Sequence, residues 1–258
     1  PGNAVRSGEL GDGSKRRRTK TSVERNPMQL IIFDLDGTLV DSLPDLVNAV
    51  NAMMAEHQRP PVARDVVAPW IGRGSRWLLQ QAFAHHGIDS GAPDFDFEAA
   101  FARFMVHYAN HLIGETVLYP GVAAALAALA SQGTRMAVCT NKPERFVAPL
   151  LRAMGIEPYF GAVLGGDSLP LRKPDPAPLL HLARHFGVSV GQCLMVGDSR
   201  HDVDAARAAG MSVVGVRYGY GGDADFAQSP PDAVFDSLEL IPPWLARQGL
   251  HLATARLH

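Results

Sequence analysis

The order of apolar and polar positions along the chain is typical of an α/β protein. Short apolar runs predict strands at 31–33, 135–141, 193–197, 212–216 and 233–235, and a strand with its turn at 162–167. Between them, apolar residues recur at helical spacing and predict helices near 42–56, 64–70, 75–86, 97–112, 122–130, 143–154, 178–186 and 205–209. The first of these helices has the pattern of a capping box, with Ser42 as the cap residue, Pro44 in the first turn and Asp45 closing the box.

Four of these helices lie between the first strand and the second, which begins near residue 135. An ordinary crossover between parallel strands needs far fewer residues than this insertion of about seventy. The spacing therefore predicts a separate helical cap domain over 43–114. Residues 28–42 and 115–258 would then form the α/β catalytic core.

Composition and charge narrow the classes of partner and the cellular compartment that fit the chain. The net charge of −2 divides unevenly, because residues 1–27 hold seven Lys/Arg and three Asp/Glu. This polar segment predicts a disordered basic leader, with Met28 as a possible native start. The mildly acidic remainder argues against nucleic acid as a partner, and the absence of long apolar runs argues against a membrane. Cys139 and Cys193 lie in apolar runs, as reduced cysteines of a cytoplasmic protein do.

The first strand ends in two carboxylates, Asp34 and Asp36, followed by Gly37 and Thr38. Two carboxylates crowded at a strand end repel each other and raise each other's pKa unless a cation lies between them. A turn with two solvated aspartates is the alternative interpretation of an isolated pair. The apolar strand before the pair and the Gly-Thr after it favour a divalent metal site.

Three later segments repeat this arrangement of polar side chains after an apolar strand. Thr140 and Asn141 end the second strand, where their side chains can donate hydrogen bonds to a bound anion. Asp198 follows the 193–197 strand as a further oxygen ligand for a hard cation, and Asp202 lies one helical turn onward. Lys173, held before a proline, would bring a fixed positive charge close to the aspartates.

The predicted cap also carries a candidate substrate residue. Arg73 lies between two glycines, Gly72 and Gly74, in a loop before the third helix. Its guanidinium could read an anionic group on a substrate, although a solvated arginine in a flexible loop is nearly as good an interpretation. His181 and His185 are four residues apart on a predicted helix, but no third zinc ligand lies nearby.

Taken in order, these segments resemble the haloacid dehalogenase-like phosphotransferases over about 28–243. The resemblance implies a Rossmann-like, doubly wound parallel sheet with a cap inserted after the first strand. It implies Asp34 as a nucleophile that forms an aspartyl phosphate, Asp36 as general acid and base, and Mg²⁺ held by Asp34, the Asp36 backbone carbonyl and Asp198. Thr140, Asn141 and Lys173 would bind substrate, and Asp202 would support Lys173 or a metal-bound water.

Several stretches resemble the phosphoglycolate phosphatases within that superfamily: 33–42, 70–74, 140–143 with 146–151, 165–167, 196–200 and 218–220. The resemblance implies a cytoplasmic phosphatase that acts on a small phosphorylated metabolite, with 2-phosphoglycolate as the first candidate substrate. It also implies a monomer or a homodimer. A phosphosugar mutase, or a phosphatase of another small metabolite, stays open as an alternative. A non-enzymatic binding module would lack a motif residue, and none is missing.

Overall fold

The computed structural model describes residues 28–247 together with Gly2. The predicted leader 1–27, apart from Gly2, and the end of the predicted core, 248–258, lie outside the described residues. Six parallel strands form one sheet, with bounds Leu30–Phe33 (β1), Arg135–Cys139 (β4), Ala162–Leu164 (β5), Cys193–Gly197 (β6), Ser212–Val216 (β7) and Ala233–Phe235 (β8). Their order across the sheet is β5-β4-β1-β6-β7-β8. The predicted α/β fold class, a doubly wound parallel sheet, is confirmed.

The central strand β1 is buried on both faces. Ile31 and Phe33 point into one apolar cluster, and Leu30 and Ile32 into the cluster on the opposite face. This alternation is the two-residue period of a strand. Helices cover both faces of the sheet, with bounds Val122–Ser131 (α5), Glu144–Ala153 (α6), Ala177–His185 (α7), Arg200–Ala209 (α8), Gly222–Gln228 (α9) and Ile241–Arg247 (α10).

Four further helices lie between two short antiparallel strands, Val40–Asp41 (β2) and Val117–Leu118 (β3). They are Leu43–Glu56 (α1), Arg64–Val67 (α2), Ser75–His85 (α3) and Phe97–Asn110 (α4), and we call them the helical insert. The insert packs around a separate apolar cluster, to which Phe146 of α6 also belongs. Its chain leaves and re-enters the sheet through the β2–β3 ribbon, although the predicted boundaries 43–114 stay a prediction.

The predicted capping box at α1 is wrong. Ser42 does precede the helix, but its hydroxyl donates to Asp36 Oδ1 at 2.6 Å and its side chain makes no cap hydrogen bond. Asp45 instead accepts hydrogen bonds from the backbone N–H groups of Glu115 and Thr116. The backbone N–H groups of Ser42 and Leu43, at the start of α1, donate to the hydroxyl of Tyr220, which lies far away in sequence.

The sequence pattern also missed some elements. The β2–β3 ribbon and helices α9 and α10 were not predicted, and α8 begins at Arg200, earlier than its apolar positions indicate. No helix within the described part of the chain combines the length and apolarity needed to cross a membrane.

Candidate active site

The polar ends of three neighbouring strands meet at the carboxyl edge of the sheet. Strand β1 lies between β4 and β6, so Asp34 is flanked by Thr140 on one side and Asp198 on the other. The sequence places these residues more than fifty positions apart, and the parallel order of the strands brings them together. All three are buried. This edge of the sheet faces the helical insert and closes a cavity with it.

Lys173 lies between two carboxylates, those of the nucleophile candidate Asp34 and of Asp202. Its ammonium donates to Asp34 Oδ1 at 2.8 Å and to Asp202 Oδ1 at 2.6 Å, and its side chain is 2% exposed. Burial lowers the pKa of Lys173, but the two carboxylates outweigh it and hold the pKa above its ordinary value. Lys173 therefore stays charged. Asp34 Oδ2 has no donor among the described residues and remains free to react.

Asp202 is oriented from both of its oxygens. Its Oδ2 accepts the backbone N–H and the hydroxyl of Ser199, the cap residue of α8, while Oδ1 faces Lys173. The start of α8 thus fixes a carboxylate for the site, as a helix N-terminus favours. Gly197 makes room for it, because a Cβ there would lie 2.2 Å from the Asp202 carboxyl carbon.

Three carboxylates form the one group of possible metal ligands found in the described residues. Ligand atoms of Asp34, Asp198 and Asp202 all lie within 4.8 Å of one another, and all three residues are buried. Burial raises the pKa of Asp34 to about 6, although Lys173 opposes the shift. Burial, together with the neighbouring Asp34 and Asp202 charges, raises the pKa of Asp198 well above its usual value. A group of oxygen ligands whose charges repel is what a hard divalent cation requires, so these residues fit one.

The backbone around Asp198 is built to hold its carboxylate. Asp198 Oδ2 accepts the backbone N–H of Tyr220 at 2.7 Å, and Oδ1 accepts the Thr38 hydroxyl at 3.3 Å. Gly37 has φ +90°, and a Cβ there would lie 2.4 Å from Asp198 Oδ2. A Cβ at Gly219 would lie 2.3 Å from the Asp198 Cβ. Any larger residue at either glycine would displace the carboxylate.

The Asp36 carboxylate is not part of the three-carboxylate group and has other partners. Its Oδ1 accepts the Ser42 hydroxyl at 2.6 Å and the Lys142 ammonium at 2.8 Å. Its Oδ2 has no hydrogen-bond partner among the described residues. One oxygen is thus held in place, and the other is free for proton transfer.

Lys142 is a site residue that sequence reasoning missed. Its side chain is fully buried, and its ammonium donates to Asp36 Oδ1 and, at 2.6 Å, to the hydroxyl of Tyr108 in α4. Asp36 and Tyr108 hold the pKa of Lys142 above its ordinary value despite burial. A signal was present, since Lys142 precedes a proline just as Lys173 does.

Thr140 and Asn141 lie where the sequence predicts. Both are buried and line the cavity. The Asn141 side-chain amide donates to the backbone carbonyl of Gly72 at 2.8 Å and to that of Lys173 at 2.9 Å. Asn141 therefore joins the insert loop to the Lys173 segment, and its contribution to substrate binding stays a prediction.

Arg73 lines a cleft next to the cavity and not the cavity itself. Its side chain is exposed, and its guanidinium stacks 3.7 Å from the centroid of the Trp77 ring. That cleft also includes Asp36 and Asp198, whereas Gly72 and Gly74 on either side of Arg73 line the cavity. The predicted contact of Arg73 with substrate stays a prediction.

Comparison with known proteins identifies the family. The family model of haloacid dehalogenase-like hydrolases matches residues 28–210. The chain belongs to this family. It is 46% identical over 231 residues, 89% of this chain and 84% of the relative, to a phosphoglycolate phosphatase of Pseudomonas putida. It is 45% identical to one of Pasteurella multocida, with 83% and 96% of the two chains covered.

Solved structures agree with this assignment. A crystal structure described as a predicted phosphoglycolate phosphatase from Haemophilus somnus has a TM-score of 0.79 and 41% identity, covering 84% of this chain and 97% of that one. The resemblance drawn from the strand-end motifs is thereby confirmed. Hydrolases of this family use a divalent metal, and the buried aspartates described above fit that requirement.

Proposed function

We propose that the protein is a Mg²⁺-dependent phosphatase that hydrolyses 2-phosphoglycolate to glycolate and phosphate. The observation that carries the proposal is the pair of aspartates after β1. Each is held through Oδ1 by a buried lysine, and each has a free Oδ2. Relatives 45–46% identical over most of the chain bear the name phosphoglycolate phosphatase, which supports the choice of substrate.

Asp34, Asp198 and the backbone carbonyl of Asp36 would hold the metal, with Asp202 close enough to contribute. A bound Mg²⁺ supplies positive charge that offsets the repulsion between these carboxylates and the incoming phosphate dianion. Because the site already contains one ammonium and three buried carboxylates, a divalent ion balances its formal charge. Magnesium itself, rather than another divalent ion, is part of the proposal.

Two steps account for the hydrolysis. Asp34 Oδ2 attacks phosphorus, the bond from phosphorus to the ester oxygen breaks, and a proton from Asp36 passes to the leaving oxygen. Asp36 then takes a proton from water as that water attacks the aspartyl phosphate, which releases phosphate and restores Asp34. Lys173 and the Thr140 hydroxyl would hold the phosphoryl oxygens. Donors placed in advance in this way are each worth roughly 10² to 10³ in rate.

A panel of small phosphomonoesters assayed with Mg²⁺ for release of free phosphate tests the proposal. We expect 2-phosphoglycolate to give the highest kcat/KM in the panel. A phosphosugar mutase would instead return the phosphoryl group to sugar phosphate without net release. Little or no phosphate from 2-phosphoglycolate, with rapid turnover of a sugar phosphate, would reject the proposed substrate.

The nucleophile is tested by Asp34→Asn. This variant keeps the size of the side chain and one oxygen that can accept from Lys173, but it removes the attacking carboxylate. We expect turnover to fall by at least about 10⁴-fold while the circular dichroism spectrum stays that of the wild type. Thr140→Val is the matched control at the same edge of the sheet, and it should lose only about 10²-fold. Asp34→Asn activity near wild type would remove Asp34 as the nucleophile.

The remaining parts of the proposal concern partners and location. We propose a cytoplasmic enzyme that acts on a small phosphorylated metabolite without nucleic acid, as a monomer or homodimer. The reduced, buried Cys139 and Cys193 support a cytoplasmic setting.

A further inference from the structure

The cavity has two chemically different ends. The end formed by the sheet carries Asp34, Lys173 and Asp202, which the proposed function assigns to the phosphoryl group and the metal. The wall formed by the insert is mostly apolar and includes these residues: Leu46, Trp70, Ile71 and Leu78. Tyr108 from α4 and Lys142 from the sheet edge also line the cavity, joined by a hydrogen bond of 2.6 Å. Among the described residues, Lys142 and Lys173 are the two lysine or arginine residues that line the cavity.

Lys142 has an unused hydrogen-bond donor. An ammonium group carries three N–H donors. Two of them are used, by Asp36 Oδ1 and by the Tyr108 hydroxyl oxygen. No third acceptor is found in the described part of the chain. Lys142 is buried in the lining of the cavity, so a group bound in the cavity is the acceptor that its third donor lacks.

Tyr108 has an unused donor as well. Its hydroxyl oxygen accepts the Lys142 hydrogen bond, so its own proton is free to donate elsewhere. Residues 28–247 offer no acceptor for that proton. Burial raises the pKa of Tyr108, so the hydroxyl keeps its proton at any physiological pH. Tyr108 is 2% exposed, which keeps this donor away from solvent too.

We propose that Lys142 and Tyr108 together form the subsite for a second anionic group, a carboxylate, on the alcohol part of the phosphomonoester. Two adjacent donors, one of them charged, match the two oxygens of one carboxylate. This inference rests on the proposed function, because it places the carboxylate of 2-phosphoglycolate opposite its phosphoryl group. It adds a specificity-determining pair that binds the end of the substrate where no bond is broken.

The Lys142 contact with Asp36 offers a competing explanation. In that view Lys142 only positions the general acid, and the carboxylate of the substrate is read elsewhere. The two explanations differ in one measurable quantity. A positioning residue changes the turnover of every substrate alike, whereas a carboxylate subsite changes only the preference for substrates that carry the carboxylate.

The test compares 2-phosphoglycolate with ethyl phosphate, in which a methyl group replaces the carboxylate. The measured quantity is the ratio of their kcat/KM values with Mg²⁺ present. We expect the wild-type ratio to favour 2-phosphoglycolate, and Lys142→Met to lower that ratio about 10- to 100-fold, as loss of a buried charged hydrogen bond does. Lys142→Arg keeps the charge and should recover part of the preference. Tyr108→Phe should lower the ratio about 3- to 10-fold.

Thr140→Val is the control, because it acts on the phosphoryl end and should slow both substrates with an unchanged ratio. Equal loss on both substrates in Lys142→Met would overturn the proposal and leave Lys142 as a positioning residue for Asp36. If Lys142→Met does not fold, Tyr108→Phe decides, since it is nearly isosteric. An unchanged ratio in Tyr108→Phe would then overturn the proposal.

A binding measurement provides a readout that does not depend on Asp36 chemistry. 3-Phosphonopropionate and propylphosphonate differ only in the terminal carboxylate, and neither has a bond that the enzyme can hydrolyse. Isothermal titration with Mg²⁺ should show tighter binding of 3-phosphonopropionate to the wild type and similar binding of both to Lys142→Met. A preference that survives in Lys142→Met contradicts the subsite. A wild type that prefers ethyl phosphate instead contradicts the proposed substrate, so the two failures are distinguishable.

Discussion

The two buried lysines of the site show how similar residues serve different purposes. Lys173 lies between two carboxylates that both come from the sheet side, Asp34 and Asp202. Lys142 lies between one carboxylate, Asp36, and a neutral hydroxyl delivered by the insert. With Asp198 nearby, the Lys173 region keeps an excess of negative charge, whereas the Lys142–Asp36 pair is balanced. The first region therefore requires a cation, and the second can accept an anion.

The largest expected difference between the two regions is in stability. Lys173→Met leaves two buried carboxylates without their cation, and loss of one member of a buried pair costs roughly 3–5 kcal/mol. Lys142→Met leaves only Asp36, whose side chain is 11% exposed and keeps the Ser42 hydroxyl, so we expect roughly 1–3 kcal/mol. Urea unfolding in EDTA, which removes any stabilisation by bound metal, measures both free energies.

The Lys142→Met variant is the matched control for this measurement, since both substitutions replace a buried lysine by the same residue. Equal losses in the free energy of unfolding would show that the two lysines face similar charge. A smaller loss for Lys173→Met than for Lys142→Met would contradict the excess negative charge inferred for the Lys173 region.

A second prediction concerns how pH changes the affinity of the Lys173 region for metal. In the metal-free protein Asp34 has its pKa raised to about 6, so it gains a proton as the pH falls below that value. Only the ionised carboxylate binds a cation, so protons and metal compete. Asp198, whose pKa is also raised, adds to the competition. Mg²⁺ affinity should thus fall at least about tenfold from pH 7 to pH 5.

Isothermal titration at several pH values measures this affinity, and the heat in buffers of different ionisation enthalpy reports the protons released. The Lys142–Asp36 pair serves as an internal comparison, because Lys142→Met should leave the pH slope of metal affinity nearly unchanged. Constant Mg²⁺ affinity from pH 5 to pH 7 would contradict the raised carboxylate pKa.

The sequence predicted the Lys173 region far better than the Lys142 region, for a physical reason. Asp34, Thr140 and Asp198 each follow an apolar strand directly, and parallel strands bring their carboxyl ends to one edge. Lys173 directly precedes a proline, and this local pattern marks it among the lysines of the sequence. Local pattern and one rule of topology are therefore enough to gather these residues.

The Lys142 region depends on contacts that no local pattern records. Tyr108 lies in the insert and reaches Lys142 only because α4 packs over the sheet edge. The sequence predicts Ser42 as a cap residue, but its hydroxyl donates to the nearby Asp36 carboxylate. The Tyr220 hydroxyl accepts the backbone N–H of Ser42 at the start of the helix. Tertiary contacts override local preference at such positions. A second Lys-Pro pair was the one local sign of the site.

The smallest expected effect is that of Arg73, and it tests whether this residue also binds the substrate carboxylate beside Lys142. Sequence reasoning gave Arg73 the task of reading an anionic group. Its guanidinium instead lies over Trp77 on an exposed surface, where a cation–π contact contributes about 0.5–1 kcal/mol. If Lys142 and Tyr108 hold the carboxylate, Arg73→Ala should raise KM for 2-phosphoglycolate by less than about threefold and leave kcat unchanged, because an exposed charge is well screened. A rise above about tenfold, absent with ethyl phosphate, would mean that the loop moves Arg73 onto the substrate, and the carboxylate would then be shared between the insert loop and Lys142.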